Sequence, residues 1–540
     1  MAPDRSVNSE EGGRVPLAAP CPALNPWFAP TVIYEGQGRA EFHAPGTFAE
    51  GPALVAYDEF GDSRIEMLVS KTDNFVGLLQ GMLGSNPACT RLTVRCPTGT
   101  FSTLTNIVYS GNVSSSQGGT TLRLRFHVVQ SQFDVTSPGT ACYWVLPLVN
   151  FVSDYARSRG PVDRHPLRIY PTPPIPPGLS GKDLFLAELR AFTKNNLINF
   201  NYDGHEAFIE PLPDYDERKS MLENGRASHL TTAIMVGELA SRSIEHEAVK
   251  SWFPIGILPL LSMISGNEVG NAWFEFRDKQ GDLVRRLHMP VLCPSFSKGP
   301  AFIEEIIHQG TGALLSAAMS LAELTNIHLQ LALRNLVRSR GGGHGIEWEL
   351  GCLFRALEAL LNYYDVPADN SRLVLPPEIA SLVKDKLKLT ADDILGMAKV
   401  AGEQEDDGAT QILRQVALQV KHAHSVRPGF GKRVALLLKR IALADCEALS
   451  AHGKPDWPQH LSRYRGIVMH GEYIKEEEMH YAWALANHLR DIVARVLLRT
   501  FRYNGTYQPC VCVCRTKMPL DWVTASTDLQ QLGYAPQGLP

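Results

Sequence analysis

The spacing of apolar residues changes along this chain of 540 residues, and the change limits the folds open to it. Over residues 30–151, apolar and polar residues alternate in short runs broken by turns. The runs are RIEMLVS, RLTVRC, TLTNIVYSG, TTLRLRFHVV and ACYWVLPLV. Successive side chains of a strand face opposite sides of a sheet, so a period of two predicts half-buried strands. SSSQGGT, between two of these runs, fits a hairpin loop. Several strands separated by turn signals predict a β-sandwich-like domain over residues 30–156. From residue 300 onward strand signals nearly vanish, and apolar residues recur three and four positions apart. FIEEIIHQGTGALLSAAMSLAELTNIHLQLALRNLV, IEWELGCLFRALEALLNYY and ATQILRQVALQVKHA read as amphipathic helices. So do GKRVALLLKRIALADCEALSA, WPQHLSRYRGIVMH and KEEEMHYAWALANHLRDIVARVLLRTF. Such helices in series predict an all-α bundle over residues 345–505.

The segment between the two patterns predicts a multidomain α+β chain. Residues 157–181 hold seven prolines and read as a stiff, extended linker. Residues 182–299 form a mixed α/β middle domain. There DYDERKSMLENGRASHLTTAIMVGEL has helical spacing for much of its length, and KSWFPIGILPLLSMISGN suggests a helix ended by Gly266-Asn267. NAWFEFRDKQGDLVRRLHMP reads as a hairpin turning at Lys279-Gln280-Gly281. Residues 1–29 are expected to be a disordered tail, 300–344 a connecting helix with a Gly-rich linker, and 506–540 a C-terminal strand or tail.

A formal charge of −4 means that any contact with nucleic acid must come from a local basic face. The N-terminal residues lack the charged-then-apolar pattern of a signal peptide. The greasiest run, residues 252–264, is too short to span a bilayer and is broken by Pro254 and Pro259, so a cytoplasmic chain without a membrane segment is expected. Ten scattered cysteines suit free thiols in a reducing compartment. Cys510, Cys512 and Cys514 lack the second pair of a zinc knuckle, and His422 and His424 diverge on a helix. GGGHG follows no strand and lacks a Gly-Lys-Ser/Thr ending. Neither a metal nor a cofactor is expected.

Phosphate-directed chemistry gathers at YRGIVMHGEYI, residues 464–474. Asp456 is a candidate N-cap and Pro458 fits the first turn, so a helix is expected over about 457–470. Gly471 suits the left-handed residue that ends it. Glu476, Glu477 and Glu478 then suit the first turn of the next helix. His470 falls in a last turn, where helix carbonyls attract cations. Arg465 offers a planar fork that matches phosphate, although five residues set it about 140° around the helix from His470. Arg463, seven residues back, lies nearly on the histidine's face. The same residues also fit surface arginines beside a solvated helix end. Glu358, on the helix over 348–364, reads as structural or orienting. Between residues 411 and 505 basic residues outnumber acidic ones and include Arg414, Lys421, Arg427, Lys432, Arg433, Lys439, Arg440 and Lys454. They fit either a phosphate-lined groove or a solvated basic face.

YRGIVMHGEY resembles the Arg-x4–6-His motif of HEPN-domain ribonucleases. WELGCLFRALEALLNYY is similar to the opening helix of ApeA-like HEPN domains. The resemblance covers about residues 345–502. Those antiphage proteins also place a β-rich region before a C-terminal HEPN domain. It implies an endoribonuclease effector of abortive-infection defence that acts without metal, leaving a 2′,3′-cyclic phosphate. Arg465 would clamp the scissile phosphate, His470 would move the proton, and Arg463 would be a second clamp. A homodimer through the bundle would bring two copies of the site together on tRNA or mRNA, with a phage-derived trigger sensed upstream. This chain departs from the family where Gly466 follows the arginine in place of a polar residue. A catalytically impaired bundle that binds RNA or protein, or the toxin of a toxin–antitoxin pair, remains as an alternative.

Overall fold

In a computed structural model of the chain, the described residues are 32–42, 48–57, 63–70, 89–104, 107–116, 119–128, 130–153, 155–157, 165–169, 178–183, 196–202, 204–239, 253–288, 295–296, 310–319, 322–340, 345–366, 377–403, 407–422, 430–443, 457–503, 506–507 and 518–519. They fall in two compact units, residues 1–324 and 325–540. The expected tail 1–29, most of the Gly-rich linker and the CVCVC segment lie outside the described residues.

The first unit is built on antiparallel strands. Nine of them are β1 (Val32–Phe42), β2 (Phe48–Tyr57), β3 (Ser63–Ser70), β4 (Cys89–Cys96), β5 (Gly99–Thr103), β6 (Val108–Ser116), β7 (Gly119–Val128), β8 (Ser131–Val135) and β9 (Tyr143–Val149). Then come β10 (Ala156–Arg157), β11 (Asn196–Tyr202), β12 (His205–Pro211), helix α1 (Tyr215–Glu223) and β13 (Thr231–Glu238). A π-helical turn, Phe253–Ile257, leads into α2 (Leu258–Ser265), followed by β14 (Gly270–Asn271), β15 (Phe274–Arg277), β16 (Leu283–His288) and α3 (Gly310–Met319).

The strands form one hydrogen-bonded sheet in the order β10-β11-β12-β13-β9-β15-β16-β8-β5-β4-β1-β2-β3-β7-β6, with β14 also on β9. The sequence reading separates 30–156 from 182–299, yet strands from both segments alternate at the centre of this sheet. β9 lies between β13 and β15, and β8 pairs with β16. Among the described residues, two hydrophobic clusters nonetheless stand apart along this sheet. Val55, Ile65, Leu92, Phe101, Leu124 and Phe133 belong to one cluster. Val145, Ile169, Leu197, Phe208, Ile234 and Trp273 belong to the other. β9 therefore packs with the later segment. So do residues 165–169, from the stretch expected to be a spacer: Leu167, Arg168 and Ile169 are buried. Arg168 Nε donates to Glu210 Oε1 at 3.0 Å and the backbone N–H of Ile169 to Oε2 at 2.7 Å, so this buried carboxylate and guanidinium satisfy each other.

Period two holds where one sheet face is open. Leu122, Leu124, Phe126 and Val128 are buried while Arg123, Arg125 and His127 between them are exposed. It fails in β13, expected as helix, where seven successive residues from Thr231 to Gly237 are buried. Both faces of that strand are covered, which removes the alternation. α2 ends at Gly266 in the left-handed region (φ 73°), and β15–β16 is a hairpin whose turn holds Gly281 at φ 91°.

His165 ties this core to pH. Its ring packs edge-on against Tyr143 and Phe208, and Nδ1 accepts from the Leu167 N–H at 3.2 Å. Burial pushes its pKa down to about 4, Arg168 adding to the effect and Glu238 opposing it. Between the ordinary value of 6.5 and about 4, the unfolded chain binds a proton that the folded ring refuses. Stability therefore falls as pH drops through that window, by roughly 2 kcal/mol once the ring's partial exposure is allowed for. Urea midpoints at pH 7.5, 6 and 4.5 should show this loss, and His165→Phe should reduce it without removing the share of buried His288, which burial and Arg286 also hold low; an equal loss in the variant contradicts the assignment.

The second unit is helical: α4 (Ile327–Arg338), α5 (Ile346–Tyr363), α6 (Pro377–Glu403), α7 (Asp407–His422), α8 (Phe430–Arg440), α9 (Trp457–Met469) and α10 (Met479–Thr500). One long helix was expected from residue 302 to 337. Instead Asn326, whose side chain accepts from the His328 N–H at 2.9 Å, caps a fresh start at α4. α5 is central and packs against α4, α8, α9 and α10, whereas α6 packs with α7. Glu349 of α5 and Arg490 of α10 form a buried ion pair, and Arg490 also donates to the Ser339 carbonyl at 2.6 Å. Among the described residues no helix is long and apolar enough to cross a membrane.

Candidate functional site

α9 ends as its sequence predicts. The N–H of Gly471 donates to the Val468 carbonyl (3.3 Å) and that of Glu472 to the Ile467 carbonyl (2.9 Å), with Gly471 at φ 75°. This is a Schellman motif, and it makes His470 the C-cap residue. The backbone alone satisfies the helix end, so the imidazole is left unused. It is exposed and pairs with no described side chain. The expected N-cap Asp456 lies outside the described residues.

Arg463 shares the face of His470. Its guanidinium donates to Glu478 Oε1 at 2.8 Å and its side chain stays 53% exposed. Glu478 is the buried residue that precedes α10, so this pair ties α9 to the start of the next helix. Beneath it the rings of Tyr464 and Tyr481 pack at a tilt of 34°, with centres 5.3 Å apart. Burial pushes the Tyr481 hydroxyl up to about 12, with Arg463 opposing and Glu478 assisting. Burial and Glu478 raise Tyr464 as well.

Arg465 faces elsewhere. Nε donates to Glu358 Oε1 at 2.7 Å, a second nitrogen reaches the same oxygen, and the guanidinium lies 5.2 Å from the Phe430 ring centre. Three helices, α5, α8 and α9, converge there. Arg433 of α8 completes the group. Burial and neighbouring Arg465 lower its pKa while Glu358 raises it. Its Nε is buried with no hydrogen-bond acceptor among the described residues. The fold thus sets Arg463 with His470 on one face and Arg465 with Glu358 and Arg433 on another, as the 140° separation implies.

Not all the basic residues are available for a ligand. Arg433 donates to the Val366 carbonyl at 3.1 Å, and Arg440 donates to the Tyr364 carbonyl, so both cap the end of α5. Arg414, Lys432 and Lys439 are exposed, whereas Arg427 and Lys454 lie outside the described residues, as does the side chain of Lys421. Sequence reasoning overlooked Tyr473. It lies three residues past His470 and is 89% exposed, and an aromatic residue in the short polar turn after Gly471 was the signal.

Gly466 sits between Arg463 and His470 on this face. A Cβ built there meets nothing within 4 Å, so no packing contact requires glycine. Gly466→Ala should raise stability by about 0.5–1 kcal/mol, since alanine is the better helix former. Denaturant titration checks this, and a loss of stability would show that the open flank is filled.

No family model, curated protein or solved structure matches the chain.

Proposed function

We propose that this chain is a metal-independent endoribonuclease that acts as an effector of bacterial antiphage defence. On this reading the second unit contains a HEPN bundle, and the β-rich unit senses a phage component or restrains the nuclease. The observation that carries the reading is the exposed face of α9. His470 and Arg463 flank the open position at Gly466, with Tyr473 exposed beyond the cap. A phosphate against Gly466 would meet a cation on one side and an imidazole on the other. A neighbouring base could stack on Tyr473.

In the reaction the ribose 2′-oxygen bonds to phosphorus and loses its proton. The bond from phosphorus to the 5′-oxygen breaks, and that oxygen takes up a proton. The products are a 2′,3′-cyclic phosphate and a 5′-hydroxyl. Base and acid must act together, and one imidazole cannot be both at once, so a second copy of the chain supplies the other His470. Arg465 would stabilise the phosphorane once its fork turns from Glu358. That ion pair favours a second reading, in which the bundle binds RNA or a partner protein without cutting it.

Expression of the wild type and of His470→Ala in bacteria, with growth and tRNA and mRNA integrity followed through phage challenge, separates the two. RNA breakdown confined to the wild type supports the nuclease; equal RNA patterns in both overturn it. Tyr473→Ala should weaken apparent RNA affinity about tenfold with little change in turnover, because a stacked base is worth roughly 1–3 kcal/mol. Binding titrations with single-stranded RNA check this.

A further inference from the structure

Helix α6 carries two apolar stripes. Leu387, Ala391, Ile394 and Ala398 lie on one, and Ala391 and Ala398 are covered where α6 packs with α7. The other stripe is open. Ile379, Leu382, Leu389, Met397 and Val400 are each 46–66% exposed. Exposed Lys386 and Asp393 complete a row at steps of three and four residues, which keeps all seven on one side of the helix. An apolar row of this length facing water is a contact surface.

Apart from Leu389, which falls beside its centre, the row is symmetric. Ile379 and Val400, Leu382 and Met397, and Lys386 and Asp393 are each equidistant from the midpoint between Leu389 and Thr390. A second copy laid antiparallel about that midpoint sets apolar against apolar and Lys386 against the partner's Asp393. A parallel pairing sets lysine against lysine and aspartate against aspartate, which is repulsive. Charge and apolar pattern therefore select one occupant and one direction.

We propose that a second copy of this chain covers the outer stripe of α6, forming a two-fold antiparallel helix pair through residues 379–400. An isologous contact repeats each interaction, so the Lys386–Asp393 pair forms twice. The proposal stands on the stripe alone, and the ribonuclease reading can fail without touching it.

Sedimentation of the full chain across a concentration series tests it. The wild type should be a dimer at low micromolar concentration. Lys386→Asp and Asp393→Lys should each raise the dimer dissociation constant about tenfold or more, because each puts two like-charged pairs in contact. The combined variant restores both attractions and should return within about threefold of the wild type. Leu382→Glu should raise the dimer dissociation constant at least as much as either charge reversal, with unchanged circular dichroism, since its side chain is 66% exposed and touches little of the folded chain. A monomeric wild type at tens of micromolar, a dimer indifferent to these changes, or a double variant as weak as the singles overturns the proposal.

Discussion

On the proposed ribonuclease reading, replacing His470 with alanine is expected to slow RNA cleavage by the purified chain about a hundredfold to ten-thousandfold, the usual contribution of a positioned proton-transfer group. Folding should be unaffected. The Schellman cap uses the backbone N–H groups of Gly471 and Glu472, and the imidazole is exposed, so the change in stability should stay within about 0.5 kcal/mol. The arginines should differ. Arg465→Ala removes the planar fork that Glu358 and Phe430 hold in place and should cost most of the activity. Arg465→Lys should rescue little, because a point charge does not replace a bidentate donor. Arg463→Ala should mainly loosen the link to Glu478 and lower apparent RNA affinity. An active Arg465→Ala beside a dead Arg463→Ala would leave Arg465 no part in the reaction and give the whole phosphate clamp to Arg463, on the face it shares with His470.

Glu275→Ala should destabilise the β-rich unit by about 3–5 kcal/mol, a large part of the 5–15 kcal/mol that holds an ordinary domain folded. Glu275 is fully buried in β15 and faces two guanidiniums. Oε2 accepts from Arg277 Nε at 2.8 Å, and Oε1 from Arg286 Nε, across the hairpin, at 2.7 Å. Arg277 also donates to the Gly281 carbonyl at 2.7 Å, and Arg286 reaches the Tyr34 hydroxyl at 3.2 Å and lies over Trp273. Removing the carboxylate leaves two cations buried without their anion. The damage falls at a junction, because β15 and β16 join β9 to β8 and so connect the two hydrophobic clusters. Burial alone would raise the Glu275 pKa, but Arg277 and Arg286 outweigh it and hold it low. The carboxylate's contribution is therefore present above the ordinary carboxylate range and is lost as pH falls through the lower folded value. Urea unfolding at neutral pH measures the effect; a loss under about 1 kcal/mol would mean that the cluster relaxes or hydrates when opened.

Sequence and structure agree where the signal is local. The alternation from Leu122 to Val128, the glycine cap at Gly471 and the acidic start before α10 are all read within a few residues. What stayed hidden depends on distant partners. β13 looks helical because both its faces are covered, so its β-branched run shows no alternation. Helix α6 went unread because two apolar stripes separated by charges blur a single helical face. The continuity of the sheet through both β-rich segments follows from pairings such as Val145 with Glu275, which no periodicity announces. At the site, residue types pointed to α9 and to Arg463, Arg465 and His470. The Arg465–Glu358 pair, 107 residues apart in sequence, appears only when α5 packs on α9.

The 3′ ends of cellular RNA recovered after induction of the chain bear on the ribonuclease reading without intermediaries. The wild type should generate fragments ending in a 2′,3′-cyclic phosphate and paired with 5′-hydroxyl ends, and His470→Ala should generate none. Intact RNA from both strains, or 5′-phosphate fragments that persist in the variant, would contradict the proposed chemistry.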